Sequence, residues 1–347
     1  MIDLRSDLLV RPDESMHAAG ARAAQESLYF GLREDPWQAK LEARVAALLG
    51  MEDALIFPTC TMANTTALML LGGRPGSAVL TQPGAHVLLS EAGAGAALAG
   101  LMLSAVSAEA SPAMPPLSAW NKALSTRGDV QRPAPGLCVI ENTHNRAGGV
   151  ALPPAYLKRF VDLARSHGAA LHCDGSRLLY AAVALGVVPA ALVRGFDTVS
   201  ISLNKTLGAP VAALLAGSRR LIESALLVRQ QLGGGMRPVG SICAASYAGL
   251  DQWHLLADVM SLARRLGAGI SSFEGLVVEA PSEITNLVVV RIATPARTDI
   301  VLQRLDAAGL RALQLDAQRI RFALYRGITP QQVERAIAII GDALARP

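Results

Sequence analysis

Up to residue 245, the chain alternates short apolar runs with segments of helical periodicity. DALIF (53–57), GLCVIEN (136–142) and AALHCDG (169–175) are typical of buried strands, whereas YLKRFVDLARSHG (156–168) carries apolar residues every three or four positions. Strands that alternate with helices in this way indicate βαβ units around a mostly parallel sheet. The run HVLLS (86–90) fits the same pattern, as a strand-like segment before an Ala-rich helix.

The pattern changes near residue 246. From there it predicts a long helix to Leu266, paired strands at 275–278 and 286–292, a helix from Thr298, a strand at 319–325 and a last helix from Thr329. This succession is typical of an α+β unit. We therefore predict an N-terminal arm (1–15), a large α/β domain (16–245) and a small C-terminal α+β domain (246–347).

The length and composition agree with this division. A chain of 347 residues is longer than one hydrophobic core usually serves. Hydrophobic residues make up 51% of the chain and aromatic residues 4%, which suits a parallel sheet covered on both faces by helices. The predicted fold class is therefore α/β.

Charge and cysteine usage limit the partners. The net charge of +4 comes from scattered arginines, so we expect no nucleic acid partner. Cys60, Cys138, Cys173 and Cys243 stand far apart, which predicts no zinc site or disulfide framework and fits a reducing cytoplasm. The first residues are too charged for a signal peptide, and the most apolar window is too short for a membrane span. We expect a cytoplasmic protein with no membrane partner.

Three strand ends carry polar side chains that could form a site. DTVSISLNKTLGAP (197–210) places Lys205 in a turn after a strand, where a lysine is ordinarily just exposed. Asp174 ends the strand AALHCDG, and a buried carboxylate there needs a cationic partner, although an Asp after a strand is more often a turn former. FPTCTMANTTA (57–67) passes from strand to helix through hydroxyl residues, so its free N–H groups could bind an anion.

Together these are the parts that a pyridoxal 5′-phosphate (PLP) site needs. The phosphate needs a helix N-terminus, the ring nitrogen needs a carboxylate, and the aldehyde needs a lysine for a Schiff base. In a parallel sheet these strand ends meet at one edge. His86 in GAHVLLSEAG could stack on the ring, although a single His is more often structural. The pattern predicts no metal site.

Several motifs in one order resemble a known family. They are DLRSDLLVRP, EDPWQAKLEARVAALLG, FPTCTMANTTA, GAHVLLSEAG, IENTHNRAGGVALP, LHCDGSRLLYAAVALG, SLNKTLGAPVAALLAG, LGGGMRPVG and RIRFALY. Over nearly its whole length the chain resembles the low-specificity L-threonine aldolases of the β-eliminating lyase group, which belong to fold type I of the PLP-dependent enzymes. The resemblance implies a large PLP-binding domain with a mostly parallel sheet and a smaller C-terminal domain.

The resemblance also implies roles for individual residues. Lys205 would form the Schiff base with PLP, Asp174 would pair with the ring nitrogen, and His86 would stack on the ring and serve as the base. The phosphate would lie on the backbone around Cys60 and Thr61. The substrate carboxylate would be held by Ser6, Arg177 and Arg321, and Arg237 would reach a phosphate in the neighbouring subunit, which predicts a homodimer or homotetramer.

The sequence departs from the family pattern near the substrate. Leu32 and Arg33 replace the usual Tyr-Gly before EDP. Cys60 replaces the usual Gly of the phosphate loop, and a contact made through the backbone alone tolerates this change if φ at residue 60 is negative. The family has a second active-site His shortly before IENTHN, and Gln131 or a neighbouring residue takes its place here. Leu324-Tyr325 replaces the usual Thr-His. Arg33 or Tyr325 could therefore recognise a larger or acidic side chain.

The expected reaction is cleavage of a β-hydroxy-α-amino acid to glycine and an aldehyde. Another PLP-dependent reaction on an amino acid, such as β-elimination, racemisation or transamination, would need the same Lys205 and Asp174. A non-catalytic PLP-binding relative is the remaining alternative.

Overall fold

A seven-stranded sheet forms the centre of the larger domain in the computed structural model of the chain. The structure describes residues 1–26, 29–108, 111–126, 128–211, 213–293 and 298–345. The strands are β1 (Ile2–Asp3), β2 (Asp53–Phe57), β3 (Ala78–Thr81), β4 (Met102–Ala105), β5 (Pro135–Glu141), β6 (Ala170–Gly175), β7 (Thr198–Ser202), β8 (Ala213–Gly217), β9 (Leu276–Val278), β10 (Leu287–Ile292), β11 (Leu310–Arg311), β12 (Leu313–Gln314) and β13 (Arg319–Ala323).

Helices cover both faces of this sheet and one face of a smaller one. They are α1 (Glu14–Ala23), α2 (Pro36–Leu49), α3 (Cys60–Leu71), α4 (His86–Leu89), α5 (Ala94–Ala97), α6 (Leu117–Leu124), α7 (Pro154–Ser166), α8 (Leu178–Leu185), α9 (Leu203–Leu207), α10 (Arg219–Gln231), α11 (Gly240–Leu250), α12 (Leu256–Ile270), α13 (Thr298–Ala307) and α14 (Pro330–Ala345). In the described ranges, no helix is both long enough and apolar enough to cross a bilayer.

The order of strands in the large sheet decides where the site lies. The order is β2-β8-β7-β6-β5-β3-β4, and β8 runs antiparallel to both of its neighbours while the other pairs are parallel. The carboxyl ends of β2, β3, β5, β6 and β7 therefore meet at one edge. Since the predicted site residues follow these strands, the topology brings them together.

The second sheet belongs to the C-terminal domain and also receives the N-terminus. Its order is β12-β13-β10-β9, all antiparallel. β1 pairs in parallel with β11, and the Ala323 N–H donates to the Leu4 carbonyl at 2.7 Å. The N-terminal arm is thus held by the small domain before it reaches the large one.

Three elements differ from the sequence predictions. HVLLS is not strand-like: its first four residues form α4, because Gly84 (φ +76°) turns the chain after β3 and the His86 N–H donates to the Glu141 carboxylate. The predicted helix from 246 to Leu266 is two helices, α11 and α12, separated by a 3-10 segment at Asp251–Leu255 that contains no buried residue. β4 was missed because this edge strand is largely exposed and lacks a strand-like apolar pattern.

Candidate active site

Lys205 lies in α9, the short helix that follows β7. The Ser202 hydroxyl caps this helix by accepting from the Lys205 N–H at 3.4 Å. Gly208 (φ +79°) ends the helix, and a Cβ there would lie 2.7 Å from the Arg11 carbonyl, so the turn requires glycine. Lys205 is half-buried, whereas the chain's other lysines are exposed: Lys40, Lys122 and Lys158. Among the described residues, no hydrogen-bond or ion-pair partner contacts its ammonium group.

Asp174 ends β6 with a carboxylate that is only 1% exposed. Its oxygens accept from the Ser176 N–H at 3.2 Å and from Asn64 Nδ2 at 3.0 Å. Burial raises the pKa of this carboxyl, but the interactions with its neighbours, chiefly His86 and Lys205, outweigh burial and leave the pKa lowered. Asp174 is therefore an ionised buried group without a cation bonded to it in the described chain, which suits a protonated ring nitrogen.

His86 begins α4 and is fixed by two acidic residues. Its Nδ1 lies 2.8 Å from Glu91 Oε1, and its backbone N–H donates to Glu141 Oε2 at 2.7 Å. Burial lowers the pKa of the imidazole, yet Glu91, Asp174 and Glu141 together leave it raised. With Nδ1 held by Glu91, Nε2 is the nitrogen left to exchange a proton with a substrate.

His86, Glu91 and Asp174 place possible ligand atoms within 4.8 Å of one another, a spacing that a metal ion could also use. The sequence did not predict this grouping. Each of the three side chains already has hydrogen-bond partners in the described chain, so the grouping is accounted for without an ion.

The start of α3 has the geometry that the predicted phosphate site requires, and the site stays a prediction. Thr59 caps the helix, because its hydroxyl accepts from the Met62 N–H at 3.1 Å. The N–H groups of Cys60 and Thr61 come first in the helix and have no partner in the described chain. Cys60 has a negative φ, so the condition for replacing the usual Gly is met. Burial raises the pKa of the Cys60 thiol to about 11, so the thiol stays neutral.

Arg177 and Arg321 lie side by side beneath the N-terminal arm. Arg177 donates to both oxygens of Asp7, at 2.6 and 2.8 Å, and both side chains are buried. Arg321 donates to Asn145 Oδ1 at 2.6 Å and to the Arg5 carbonyl at 2.8 Å. Asn145 Oδ1 also lies 3.4 Å from Arg177 Nη1, so it joins the two arginines.

Between them the two arginines have one ion-paired carboxylate, Asp7, so one of their two positive charges is not balanced within the described chain. Arg321 is 5% exposed, its Nε has no partner in the described chain, and no described carboxylate forms an ion pair with it. Burial and the neighbouring Arg177 lower the pKa of Arg321 to about 10. One carboxylate from a substrate would fit this demand.

Ser6 is close to this pair along the arm, but no hydrogen bond joins it to either arginine in the part of the chain that the structure describes. Its hydroxyl accepts from the Leu8 N–H at 3.2 Å and so caps a short 3-10 segment. The neighbouring Arg5 carbonyl is the group that accepts from Arg321. The substrate role of Ser6 stays a prediction.

Arg33 forms internal ion pairs, and its role toward a substrate side chain stays a prediction. Its guanidinium donates to Glu42 at 2.7 Å, to Asp53 at 3.0 Å and to the Ala54 carbonyl at 3.0 Å. These partners raise the pKa of Arg33 against the effect of burial. The contacts give Arg33 a structural role that ties α2 to β2, and they oppose its predicted recognition of a side chain.

The other two substituted positions, Gln131 and Tyr325, lie in different parts of the molecule. Gln131 lies in an exposed turn with Asp129, before the amino end of β5, and therefore at the edge of the sheet opposite the site. Tyr325 is half-buried, its hydroxyl donates to the Asp3 carbonyl at 2.9 Å, and it lines a cavity of about 850 Å³ together with Leu9 and Arg11. Of these positions, Tyr325 has a contact with the arm that carries Ser6.

Arg237 is exposed and does not reach the site within its own chain. Its Nη1 lies 3.3 Å from the Phe30 carbonyl, and its guanidinium lies 5.1 Å from the centre of the Phe30 ring. Phe30 is itself 84% exposed. The role of Arg237 across a subunit interface stays a prediction.

Sequence reasoning missed the residues that hold the site residues in place. They are Asp7, Asn64, Glu91, Glu141, Asn145 and His172. All six stand inside the quoted motifs, for example Asn64 in FPTCTMANTTA. A buried Asn in the interior of a helix is an available signal, because helix propensity alone disfavours it.

The residues present fit PLP. A half-buried lysine without a partner, an ionised buried carboxylate and a free helix start lie at one edge of the sheet, and each matches a group of this cofactor. This set of side chains is the one that the PLP site of a fold type I enzyme needs.

Comparison with known proteins gives the family. Residues 3–293 match the family model described as beta-eliminating lyase, and the chain belongs to this family. A protein of Arabidopsis thaliana described as probable low-specificity L-threonine aldolase 2 is 34% identical over 340 residues, which cover 97% of this chain and 95% of that one.

Solved structures show the same fold. The Leishmania major threonine aldolase aligns with a TM-score of 0.83 at 19% identity, over 99% of this chain and 100% of that one. A structure of SPT with PLP aligns with a TM-score of 0.78 at 20% identity, over 99% of this chain and 87% of that one.

Proposed function

We infer that the protein is a PLP-dependent carbon–carbon lyase of the threonine-aldolase type, which cleaves a β-hydroxy-α-amino acid to glycine and an aldehyde. The observation that carries this inference is the meeting of Lys205, Asp174 and His86 at one sheet edge, with Nδ1 of His86 held by Glu91 at 2.8 Å. The similarity to a relative described as a threonine aldolase supports it.

PLP would be held by Lys205 at its aldehyde, by Asp174 at its ring nitrogen and by the start of α3 at its phosphate. When bound, PLP supplies an electron sink for the pair released from the Cα–Cβ bond. The ionised Asp174 keeps a proton on the ring nitrogen, which is what makes the sink effective.

The chain's own residues then orient the substrate and move one proton. Arg321, with its unpartnered Nε, binds the α-carboxylate beside Arg177 and so fixes which bond at Cα can break. His86 accepts the proton of the β-hydroxyl at Nε2, directly or through a water, while Glu91 stabilises the charge that forms on the ring. Loss of that proton lets the Cα–Cβ bond break and releases an aldehyde.

The charges of the site favour a neutral substrate side chain. Asp7 already neutralises Arg177, and Glu42 and Asp53 neutralise Arg33. Arg321 is then left to bind one carboxylate, the α-carboxylate. Among the rewritten positions, Tyr325 remains the candidate for contact with the β-substituent, which would favour a bulkier or more polar β-hydroxy amino acid over threonine.

The assembly is proposed to be a homodimer or homotetramer with shared sites. Arg237 and Phe30 are exposed together, so they are free to contact a neighbouring subunit. Sedimentation at assay concentration tests this: a fully active monomer would contradict it.

A substrate screen of the purified holoenzyme tests the reaction. L-Threonine, L-allo-threonine, L-serine and L-alanine are incubated separately, and glycine, aldehyde, pyruvate and the D-enantiomer are measured. We expect glycine and aldehyde in equal amounts from the β-hydroxy amino acids with a carbon substituent. Pyruvate from serine, or racemised alanine without any aldehyde, would instead identify another reaction on the same scaffold.

A further inference from the structure

Asn64 occupies the centre of the site although neither the sequence pattern nor the proposed reaction uses it. It lies in the second turn of α3 and is fully buried. Burying an amide in this position is costly unless its hydrogen-bonding groups are satisfied. Both of its polar atoms therefore need partners.

Both atoms have two partners each. Nδ2 donates to Asp174 Oδ2 at 3.0 Å and to Glu91 Oε1 at 2.8 Å. Oδ1 accepts from Ser200 Oγ at 2.7 Å and from His172 Nε2 at 3.0 Å. The full hydrogen-bonding capacity of the amide is used.

The partners fix which way the amide points. Two carboxylates face one end, and only the NH₂ group can donate to both, so Oδ1 must face His172 and Ser200. His172 must then carry its proton on Nε2, while its Nδ1 accepts from the Thr198 hydroxyl at 2.8 Å. Burial lowers the pKa of His172 to about 4, so this histidine is neutral near pH 7.

Asn64 therefore links the two acidic residues of the site. Asp174 is the proposed partner of the ring nitrogen, and Glu91 holds His86. Glu91 is 4% exposed and its Oε2 has no partner in the described chain, so its orientation depends on what binds Oε1, namely Asn64 and His86.

We propose that Asn64 is a positioning residue, held by His172, that orients Asp174 toward the PLP ring and Glu91 toward His86. The inference deepens the proposed function and rests on it for the role of His86, but the contacts themselves do not depend on which substrate is cleaved.

The charged groups around His86 determine in which direction its pKa changes when Asn64 is replaced. They are Glu91, Asp174 and Glu141. The hydrogen bond from Asn64 lowers the pKa of Glu91 against the larger effect of burial. Without it, Glu91 takes up a proton more readily, and His86 loses an anionic neighbour, so the pKa of His86 falls.

The test uses the full-length apoenzyme and NMR of the histidine rings. In the wild type, ¹⁵N shifts should show His172 as the neutral Nε2–H tautomer. The Nδ1–H tautomer would overturn the proposal, because it cannot donate to Asn64. This measurement does not depend on any variant folding.

Two variants extend the test. In Asn64→Leu the pKa of His86 should fall by about one unit or more, and PLP affinity should fall at least about tenfold, since bonds to charged groups are lost. His172→Phe should give the same changes to a smaller extent. Asn121→Leu is the control, because Asn121 in α6 makes a similar 2.9 Å contact with His167 on the surface.

Folded Asn64→Leu and His172→Phe with a wild-type His86 pKa and wild-type PLP affinity would reduce Asn64 to a purely structural role and overturn the proposal. A shifted pKa in a protein that fails to cleave β-hydroxy amino acids would leave the positioning role intact and count against the proposed function alone.

Discussion

Arg321 is a buried cation beside Arg177 that forms no ion pair with a described carboxylate. Its replacement therefore separates substrate binding from stability. In Arg321→Leu we expect KM to rise by about 100-fold or more, because the α-carboxylate loses its anchor. The free energy of unfolding should stay the same or increase, since an uncompensated buried charge is removed. Steady-state kinetics and urea titration measure the two effects.

Arg319→Leu is the matched control, because Arg319 lies on the same strand but pairs with Asp316 at 2.7 Å. It should leave KM unchanged. A KM for Arg321→Leu within about threefold of the wild type would remove Arg321 from the substrate site.

His172 makes stability depend on pH. Its pKa is lowered from 6.5 to about 4 by burial, so between these values the unfolded chain binds a proton that the folded chain does not. Stability is then unaffected above pH 6.5 and falls as the pH drops toward 4, by up to about 3 kcal/mol. Urea titrations at pH 7 and pH 5 should show this loss, and His172→Phe should reduce the slope. An unchanged slope in the variant would assign the pH dependence to other groups.

The sequence predicted those single residues whose role can be recognised from the adjacent sequence. Lys205 and Asp174 could be found because each lies at or shortly after the carboxyl end of a recognisable strand. Asp7 could not, because its role depends on Arg177, 170 positions away. The ion pairs of Arg33 could not be predicted for the same reason: nothing local indicates that Glu42 and Asp53 surround it.

Among the elements, α3 is proposed to combine a structural and a binding role at its first turn. The predicted phosphate contact uses backbone N–H groups, so the side chain at position 60 should matter little. Cys60→Ala should keep PLP affinity within about twofold and should lose only a small amount of stability, because a buried thiol is a small apolar group. Fluorescence titration of the apoenzyme with PLP measures the affinity.

Thr59→Ala is the contrasting variant on the same turn. Loss of the capping hydroxyl should cost about 1 kcal/mol of unfolding free energy. A large loss of PLP affinity in Cys60→Ala would show that the thiol itself contacts the cofactor.

The elements were predicted best where hydrophobic periodicity is unambiguous. β5, β6, β7 and α7 coincide closely with their predicted segments. HVLLS was assigned to the wrong type because so short an apolar run fits a strand or a helical turn equally well. The turn at Gly84 and the tertiary contact of Glu141 with the His86 N–H decide between them.

At the scale of the whole molecule, the N-terminal arm connects the two domains through the site. β1 pairs with β11 of the small domain, and four residues later Asp7 binds Arg177 of the large domain. Asp7→Asn would leave Arg177 buried without its anion. We expect a loss of about 3–5 kcal/mol in unfolding free energy and a weaker hold on the substrate, since Arg177 is no longer fixed.

Thermal unfolding and steady-state kinetics test this prediction. Asp3→Asn serves as the control on the same arm, because Asp3 pairs with the exposed Arg5. Equal stability in Asp7→Asn and Asp3→Asn would contradict a connecting role for the arm.

Trapping PLP on the chain identifies the lysine that binds it. Borohydride reduces the bond between PLP and a lysine to a stable secondary amine, which peptide mass spectrometry locates. The chain offers Lys40, Lys122, Lys158 and Lys205, and among these Lys205 is half-buried at the sheet edge. We predict that the modified peptide contains Lys205 and that Lys205→Ala yields no modified peptide and no cleavage of β-hydroxy amino acids. Modification of one of the exposed lysines instead, or an active Lys205→Ala variant, would contradict the account.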